Sequence, residues 1–281
     1  LTFGISMVIV GAASGLADVL MNARVSELEE SHSRPLMNAN HAMFSVGYAA
    51  SAVASGFARE ALITSGMAFF SVALIIFVLA TFLYVPVHYN STLAPGKVSY
   101  PFWPIVICGL IVLVAFMTEA TVETWSALHI ERTLHGRAAE GAMGPAMLGI
   151  TMAVGRFSGQ AVSQMFSDTK VIILATLVAA IGALLAALAP TPFWAYVGFG
   201  ILGLGVSVIG PLGLALVGKS VPNHLRTEAI SRVAVMGFSG FFLAPSIMGF
   251  VSEFHGLRVA FICAAALSLT AIPLTLLLRR L

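Results

Sequence analysis

Charge is what this sequence lacks. Asp, Glu, Lys and Arg together make up 9% of its 281 residues, where a soluble domain carries roughly 25%. The 12 acidic and 14 basic side chains are too few to cover a water-facing surface. This excludes a soluble enzyme, a nucleic-acid-binding domain and a charged disordered tail, and it asks for lipid as the solvent. Cysteine is nearly as scarce. Cys108 and Cys263 lie far apart in apolar runs, so neither a disulfide framework nor a thiolate metal site is expected. The alternating strands of about ten residues that build membrane barrels are missing. So are His-x-x-Glu-His clusters and a Gly-x-Ser-x-Gly elbow, which an intramembrane enzyme would carry. No connector is long enough to hold the output domain of a sensor.

What the chain has in abundance is apolar residues, 59% of the total. A helix crossing the ~30 Å hydrocarbon layer needs about 20 of them in succession. Nine such runs occur: Leu1–Met21, Met37–Phe57, Gly66–Val87, Phe102–Leu128, Gly141–Gln164, Val171–Pro190, Phe193–Val217, Ile230–Val251 and Arg258–Leu278. Lipid offers no partner for backbone N–H and C=O groups, and with barrels excluded only helices remain. The expected fold class is all-α, a polytopic membrane protein. The first run begins at Leu1 without a basic flank, so it reads as a membrane helix of a chain truncated at its N-terminus rather than a signal peptide.

Connector His88–Pro101, HYNSTLAPGKVSYP, is a linker by composition. It divides residues 1–87, with three runs, from residues 102–281, with six. Lys and Arg favour the cytoplasmic side of short loops. One set of connectors holds nine of them (Arg24, Arg34, Lys97, Lys170, Lys219, Arg226, Arg232, Arg279 and Arg280) and the other holds four (Arg59, Arg132, Arg137 and Arg258). The C-terminus and the linker are therefore expected to be cytoplasmic. Gly47 and Gly56-Phe57 are echoed by Gly240 and Gly249-Phe250, as two parallel copies of one helical unit would be. Pro211 and Pro245 fall inside runs, where a proline frees backbone carbonyls.

Ionisable groups inside such runs are costly and mark function. Asp18 has Asn22 four residues on, on the same helical face. Glu119 and Glu123 share the i, i+4 relation on the fourth run. Like charges at that spacing repel, so holding both requires a cation, a proton or water. These three carboxyls are the candidate proton carriers. Trp125, close behind, could present an apolar face to a solute or anchor at the interface. His41 opens the second run, and Phe44 follows on the next turn. Arg156, in VGRFSG, reads as the inner end of its helix, its head snorkelling to water.

The ordered set of motifs resembles the major facilitator superfamily, in particular its fucose-permease-like branch. GAASGLADVLMNARVSELEE (residues 11–30) is similar to the fourth helix of that branch, and MNANHAMFSVG (37–47) to the start of its fifth. Glu119 with Trp125 resembles the seventh. GRFSG (155–159), with Gly155, Arg156 and Gly159, resembles the inner motif between the eighth and ninth, and GLGVSVIGP and GFSGFFLAPSIMGF resemble the tenth and eleventh. The resemblance implies two pseudo-symmetric six-helix halves around a cavity, with helices four to twelve present, and alternating access. It also implies a proton-coupled role for Asp18. From the residues themselves, a solute is expected near Asn22, His41, Phe44 and Trp125. The branch usually has Gln and then Asn where His41 and Phe44 stand, and Asp where Gln160 stands. Sugar-type amides and the inner gate's acidic partner are thus missing.

The expected protein is a monomeric secondary transporter of a bacterial inner membrane. Its partners are the bilayer and a small solute, with no nucleic acid, metal or cofactor, and a proton gradient is its energy source. Symport of a sugar-like or small polar solute is the first form. Proton-driven efflux of an amphipathic compound is the second, supported by the 27 aromatic residues.

Overall fold

The computed structural model describes residues 2–32, 36–83, 102–222 and 225–280. Among these every element is helical. The chain runs through α1 (Thr2–His32), α2 (Met37–Glu60), α3 (Ser65–Ala80), α4 (Phe102–Leu128), α5 (Ala138–Met165), α6 (Asp168–Leu188), α7 (Pro192–Lys219), α8 (Arg226–Leu269) and α9 (Ala271–Leu278). A short π-helical turn, His129–Thr133, extends α4. The linker 88–101 lies outside the described residues.

Local chemistry sets several of the ends. The Thr64 hydroxyl accepts a hydrogen bond from the Met67 N–H and opens α3. Pro192 starts α7, where its missing N–H has no helical partner to lose. Gly256 breaks α8: its φ of 82° and ψ of 164° are outside helical space, and only glycine holds such a backbone without strain. This break separates the eighth and ninth apolar runs of the sequence. Pro211 and Pro245, expected as interruptions, sit within α7 and α8, and the helices continue through both.

By length and composition, four stretches among the described residues can cross a membrane. They are Phe102–Thr133, Asp168–Leu188, Pro192–Lys219 and Glu228–Leu278. The last is 51 residues long, enough for two crossings on either side of Gly256. α1 extends eleven residues beyond the expected Met21, to His32, which places Asp18 near the middle of its helix rather than toward one end. Glu119 likewise falls near the midpoint of Phe102–Thr133.

α4 to α9 enclose the core. Phe199, Phe261, Ile111, Ile130, Leu148, Ile172, Leu202 and His129 are fully buried there. α6 lies so close to α7 that an added Cβ at Gly182 would meet the backbone of Gly198 and Leu202. Such small-residue seams hold helices together where apolar surface gains nothing by leaving lipid. The other side of the bundle is oily, with Phe70 and Phe77 more than two-thirds exposed. α3 buries no side chain.

α2 is joined to α5 by a stripe of small residues. Ala42, Ser45, Ala49 and Gly56 are buried along one face, at the three- and four-residue spacings of a helical contact line. Gly149 of α5 fits against Ser45, Tyr48 and Ala49 of that stripe. Of the expected glycine echo, Gly56 and Gly249 both meet a neighbouring helix, at Ala142 and at Trp125. Gly240 meets Leu113, whereas Gly47 faces open space.

Candidate functional site

The α2–α5 seam carries the most unusual polar arrangement in the chain. Arg156, one residue after Gly155, points into the bundle. Its Nη2 stands 3.6 Å from Glu119 Oε1, and the two side chains are only 12% and 8% exposed. Its Nη1 donates to Ser45 Oγ at 2.5 Å and to the His41 main-chain carbonyl at 3.2 Å. The Ser45 hydroxyl donates to the same carbonyl at 3.1 Å. One guanidinium thus ties together α2, α4 and α5. The expectation that Arg156 snorkels to water is corrected. Its side chain is only 12% exposed, and its head meets Glu119, Ser45 and the His41 carbonyl between the helices.

The separation of 3.6 Å is longer than the ≈ 2.7–2.9 Å of a charge-assisted hydrogen bond. Arg156 and Glu119 form an ion pair and not a tight fork. Breaking such a pair by removing one partner is expensive, about 3–5 kcal/mol, while the intact pair adds little net stability. Glu123, one turn further along α4, interacts electrostatically with both Glu119 and Arg156. The cation that two carboxyls at this spacing require is therefore supplied by α5. Tyr48 of α2 lies within electrostatic reach of both carboxyls.

Trp125 is half-buried. Its indole packs on Gly249 of α8, and its Nε1 is buried without an acceptor among the described residues. The Arg156 Nε is also without one. Phe44 does not join the group; it is 58% exposed on α2, on the face away from the buried stripe. Gly155 is part of the packing of α5 against Leu204 and Ser207 of α7. The side chains of Asp18 and Asn22, and Gly159 with Gln160, lie outside the described residues. Ser45 and Tyr48 escaped the sequence reading. Their signal was the spacing of Ala42, Ser45, Ala49 and Gly56, which marks the face on which they lie.

Three further ion pairs close the end of the seam near Glu60. Arg59 holds Glu131 with two bonds, Nη1 to Oε1 at 2.6 Å and Nη2 to Oε2 at 2.9 Å. Arg137 reaches Glu60 at 3.2 Å and Glu140 at 3.6 Å. Beyond them, His129 Nε2 donates to the Ala186 carbonyl at 3.1 Å, since a carbonyl can only accept. Arg258 donates to Ala187 at 2.9 Å. Together they reach two of the carbonyls near the C-terminus of α6.

Apolar helices long enough to cross lipid, gathered around a buried ion pair, define a multi-pass membrane protein whose polar centre lies between helices. The chain belongs to the Major Facilitator Superfamily, whose family model matches residues 108–281; its members are membrane transporters of small solutes, not enzymes. Relatives extend the match across the chain. An uncharacterized MFS-type transporter of Yersinia pestis is 28% identical over 278 residues, covering 96% of this chain and 70% of its own length. Membrane protein MosC of Rhizobium meliloti is 26% identical, covering 92% of this chain and 63% of its own length. An uncharacterized transporter of Sinorhizobium fredii, y4wD, is 26% identical over 92% of this chain and 69% of its own.

Proposed function

We propose that this chain is the larger part of a proton-coupled secondary transporter working by alternating access. Residues 1–87 supply three helices of one half and residues 102–281 the whole of the other, with 88–101 as the cytoplasmic linker between them. The observation that carries the reading is the position of Arg156. It pairs with a buried carboxylate of α4 while it is bonded to α2 across the seam. A proton taken up by Glu119 removes the charge that holds the guanidinium. The ion pair within one half is thereby linked to the contact between the halves. Asp18, near the middle of α1, is the second proposed proton carrier, with Asn22 beside it in the helix. The solute then binds among His41, Tyr48, Glu119, Glu123 and Trp125.

Moving one charge across 100 mV is worth ≈ 2.3 kcal/mol, enough for roughly fifty-fold accumulation. Symport of a small polar solute is the first form of the reading, in keeping with the resemblance to the fucose-permease-like branch. Antiport of an amphipathic solute is the second. Tyr48, within electrostatic reach of both carboxyls, favours it.

The test is flux through the full-length protein in proteoliposomes. Sugars, organic acids, amines and amphipaths are offered with and without an imposed proton gradient. At least one should move only with the gradient, and Asp18→Asn should abolish accumulation while exchange persists in part. Flux that ignores the gradient for every solute would overturn the coupling.

A further inference from the structure

A narrow groove opens on the outside of the bundle where α5, α6 and α7 meet. Its volume is about 300 Å³. Gly155 of α5 and Gly205 of α7 are buried at its floor, and Leu174 and Val178 of α6 and Leu204 of α7 are exposed at its rims. From Val171, at the start of α6, to Val178 it follows about 10 Å of helix. This side of α6 faces lipid. Asp168–Leu188 is long and apolar enough to cross a membrane. Leu174, Ile181 and Leu188, seven residues apart on one helical face, are each more than half exposed.

Shape and polarity limit what the groove can hold. Among the residues that line it only Ser158 has a polar side chain. Its hydroxyl is turned back to the carbonyls of Val154 and Gly155, at 2.8 and 3.3 Å. A polar solute would give up its water there and gain no partner. A helix is too wide, since a 10 Å length of one fills roughly 800 Å³. An acyl chain is apolar and narrow, and the surrounding leaflet supplies it. The mouth of the groove is positive. Lys170 stands one residue before Val171 and one turn before Leu174, on the same face as Leu174, and is exposed. It has no acidic partner among the described residues, because Asp168 is held by Lys219 at 2.5 Å. A lysine at the end of a span lays its stem on apolar surface and carries its ammonium to headgroup level.

We propose that this groove is a binding site for a phospholipid with an anionic headgroup, one acyl chain lying between α5, α6 and α7 and the phosphate meeting Lys170. The phosphate of a zwitterionic lipid is offset by its own ammonium, whereas that of phosphatidylglycerol is not. Lys170 therefore sets the preference, and one lysine at a membrane surface is worth about fivefold in affinity for anionic lipid. Gly155 belongs to the floor of the groove and also packs against Leu204 and Ser207. The bound chain thus braces the contact of α5 with α7 one residue from Arg156. The site lies outside the polar seam and is independent of the solute carried.

The experiment titrates lipid onto the purified full-length protein in detergent and counts bound molecules by native mass spectrometry. The probes are phosphatidylglycerol and phosphatidylcholine with the same acyl chains, and glycerol phosphate as a headgroup without chains. Phosphatidylglycerol should bind about fivefold tighter than phosphatidylcholine, and glycerol phosphate should not bind at these concentrations. Lys170→Gln should bring the two lipids to within about twofold of each other, while Lys170→Arg, which keeps the charge, should keep the preference. Val178→Phe and Ser158→Leu each fill the groove. Each should weaken both lipids about fourfold or more, the worth of one displaced methylene. Ile181→Phe, on the lipid-facing side of α6 but outside the groove, should change neither. Equal affinity for the two lipids in the wild type, or a preference that survives Lys170→Gln, would overturn the proposal. So would lipid binding unchanged in both groove-filling variants, the mark of an ordinary annulus, or glycerol phosphate bound as tightly as the lipid. Should one filling variant fail to fold, the other decides together with Lys170→Gln, whose side chain is exposed.

Discussion

Arg59 and Glu131 meet in a two-pronged ion pair, with bonds of 2.6 and 2.9 Å, between the last turn of α2 and the π-helical extension of α4. The pair spans the same two elements that Arg156 joins deeper in the seam. The side chains are 52% and 18% exposed, so the pair contributes at most about 1 kcal/mol to stability. If the proposed alternating access opens the seam at this end, the opening must break it together with Glu60–Arg137.

Glu131→Gln should therefore shift the population toward states open at this end, by up to about fivefold for ~1 kcal/mol. Spin labels at Ala58 and Ala139 report it. The variant's distance distribution should gain a longer component. A distribution identical to the wild type would show that these pairs hold nothing closed.

The buried pair makes a different demand on stability. Glu119→Gln leaves the Arg156 guanidinium without its counter-charge and should cost about 3–5 kcal/mol. Glu119→Gln combined with Arg156→Gln should recover a good part of that loss. Thermal unfolding of the single and double variants in detergent measures the coupling. Strict additivity would show that the two side chains do not act as a pair.

Packing along the seam is tight at Gly149, where a Cβ would lie 3.0 Å from the Ser45 carbonyl and 3.1 Å from the Ala49 Cβ. Gly149→Leu should part α2 from α5 and cost about 1–3 kcal/mol through overpacking. The same change at Gly47, which faces open space, should leave the unfolding temperature within a degree or two, since surface substitutions stay within about ±0.5 kcal/mol. Equal effects at both positions would contradict the seam.

His129 tests the end of α6. His129→Phe keeps a ring against Phe261, whose centroid is 5.1 Å away, but removes the donor to Ala186. The Ala186 carbonyl keeps the Ala189 N–H at 3.3 Å, so the loss is that of one hydrogen bond, about 0.5–1.5 kcal/mol, and amide exchange in the last turn of α6 should quicken. Unchanged exchange would mean that Arg258 and the Ala189 N–H close that terminus without His129.

The helices were legible because lipid allows one solution for a long apolar run, and the described residues of the nine runs are mostly helical, although α6 stops at Leu188, two residues short of the expected Pro190, and Thr270 interrupts the last run. Partners between helices were not. Glu119 and Glu123 announce that a cation is needed, but nothing in their spacing says that it comes from residue 156, thirty-odd positions away on an antiparallel helix. Arg156 was read as an end-of-helix arginine because snorkelling is the ordinary fate of such a residue. The neighbour that overrides it, Glu119 of α4, is met only once α5 is folded against α4. The run of apolar residues stops at Met21, whereas α1 continues through a polar stretch to His32, which leaves Asp18 near its middle. Tyr48 and Ser45 were overlooked for the converse reason. Each is ordinary in its own helix and acquires meaning from the helix it faces.

The most direct measurement is gradient-driven transport by Glu119→Gln in the full-length protein, set beside exchange without a gradient. Loss of accumulation with exchange retained is the expected result, because a carboxamide cannot carry the proton that releases Arg156. Accumulation at the wild-type level in this variant would contradict the central role of the buried pair.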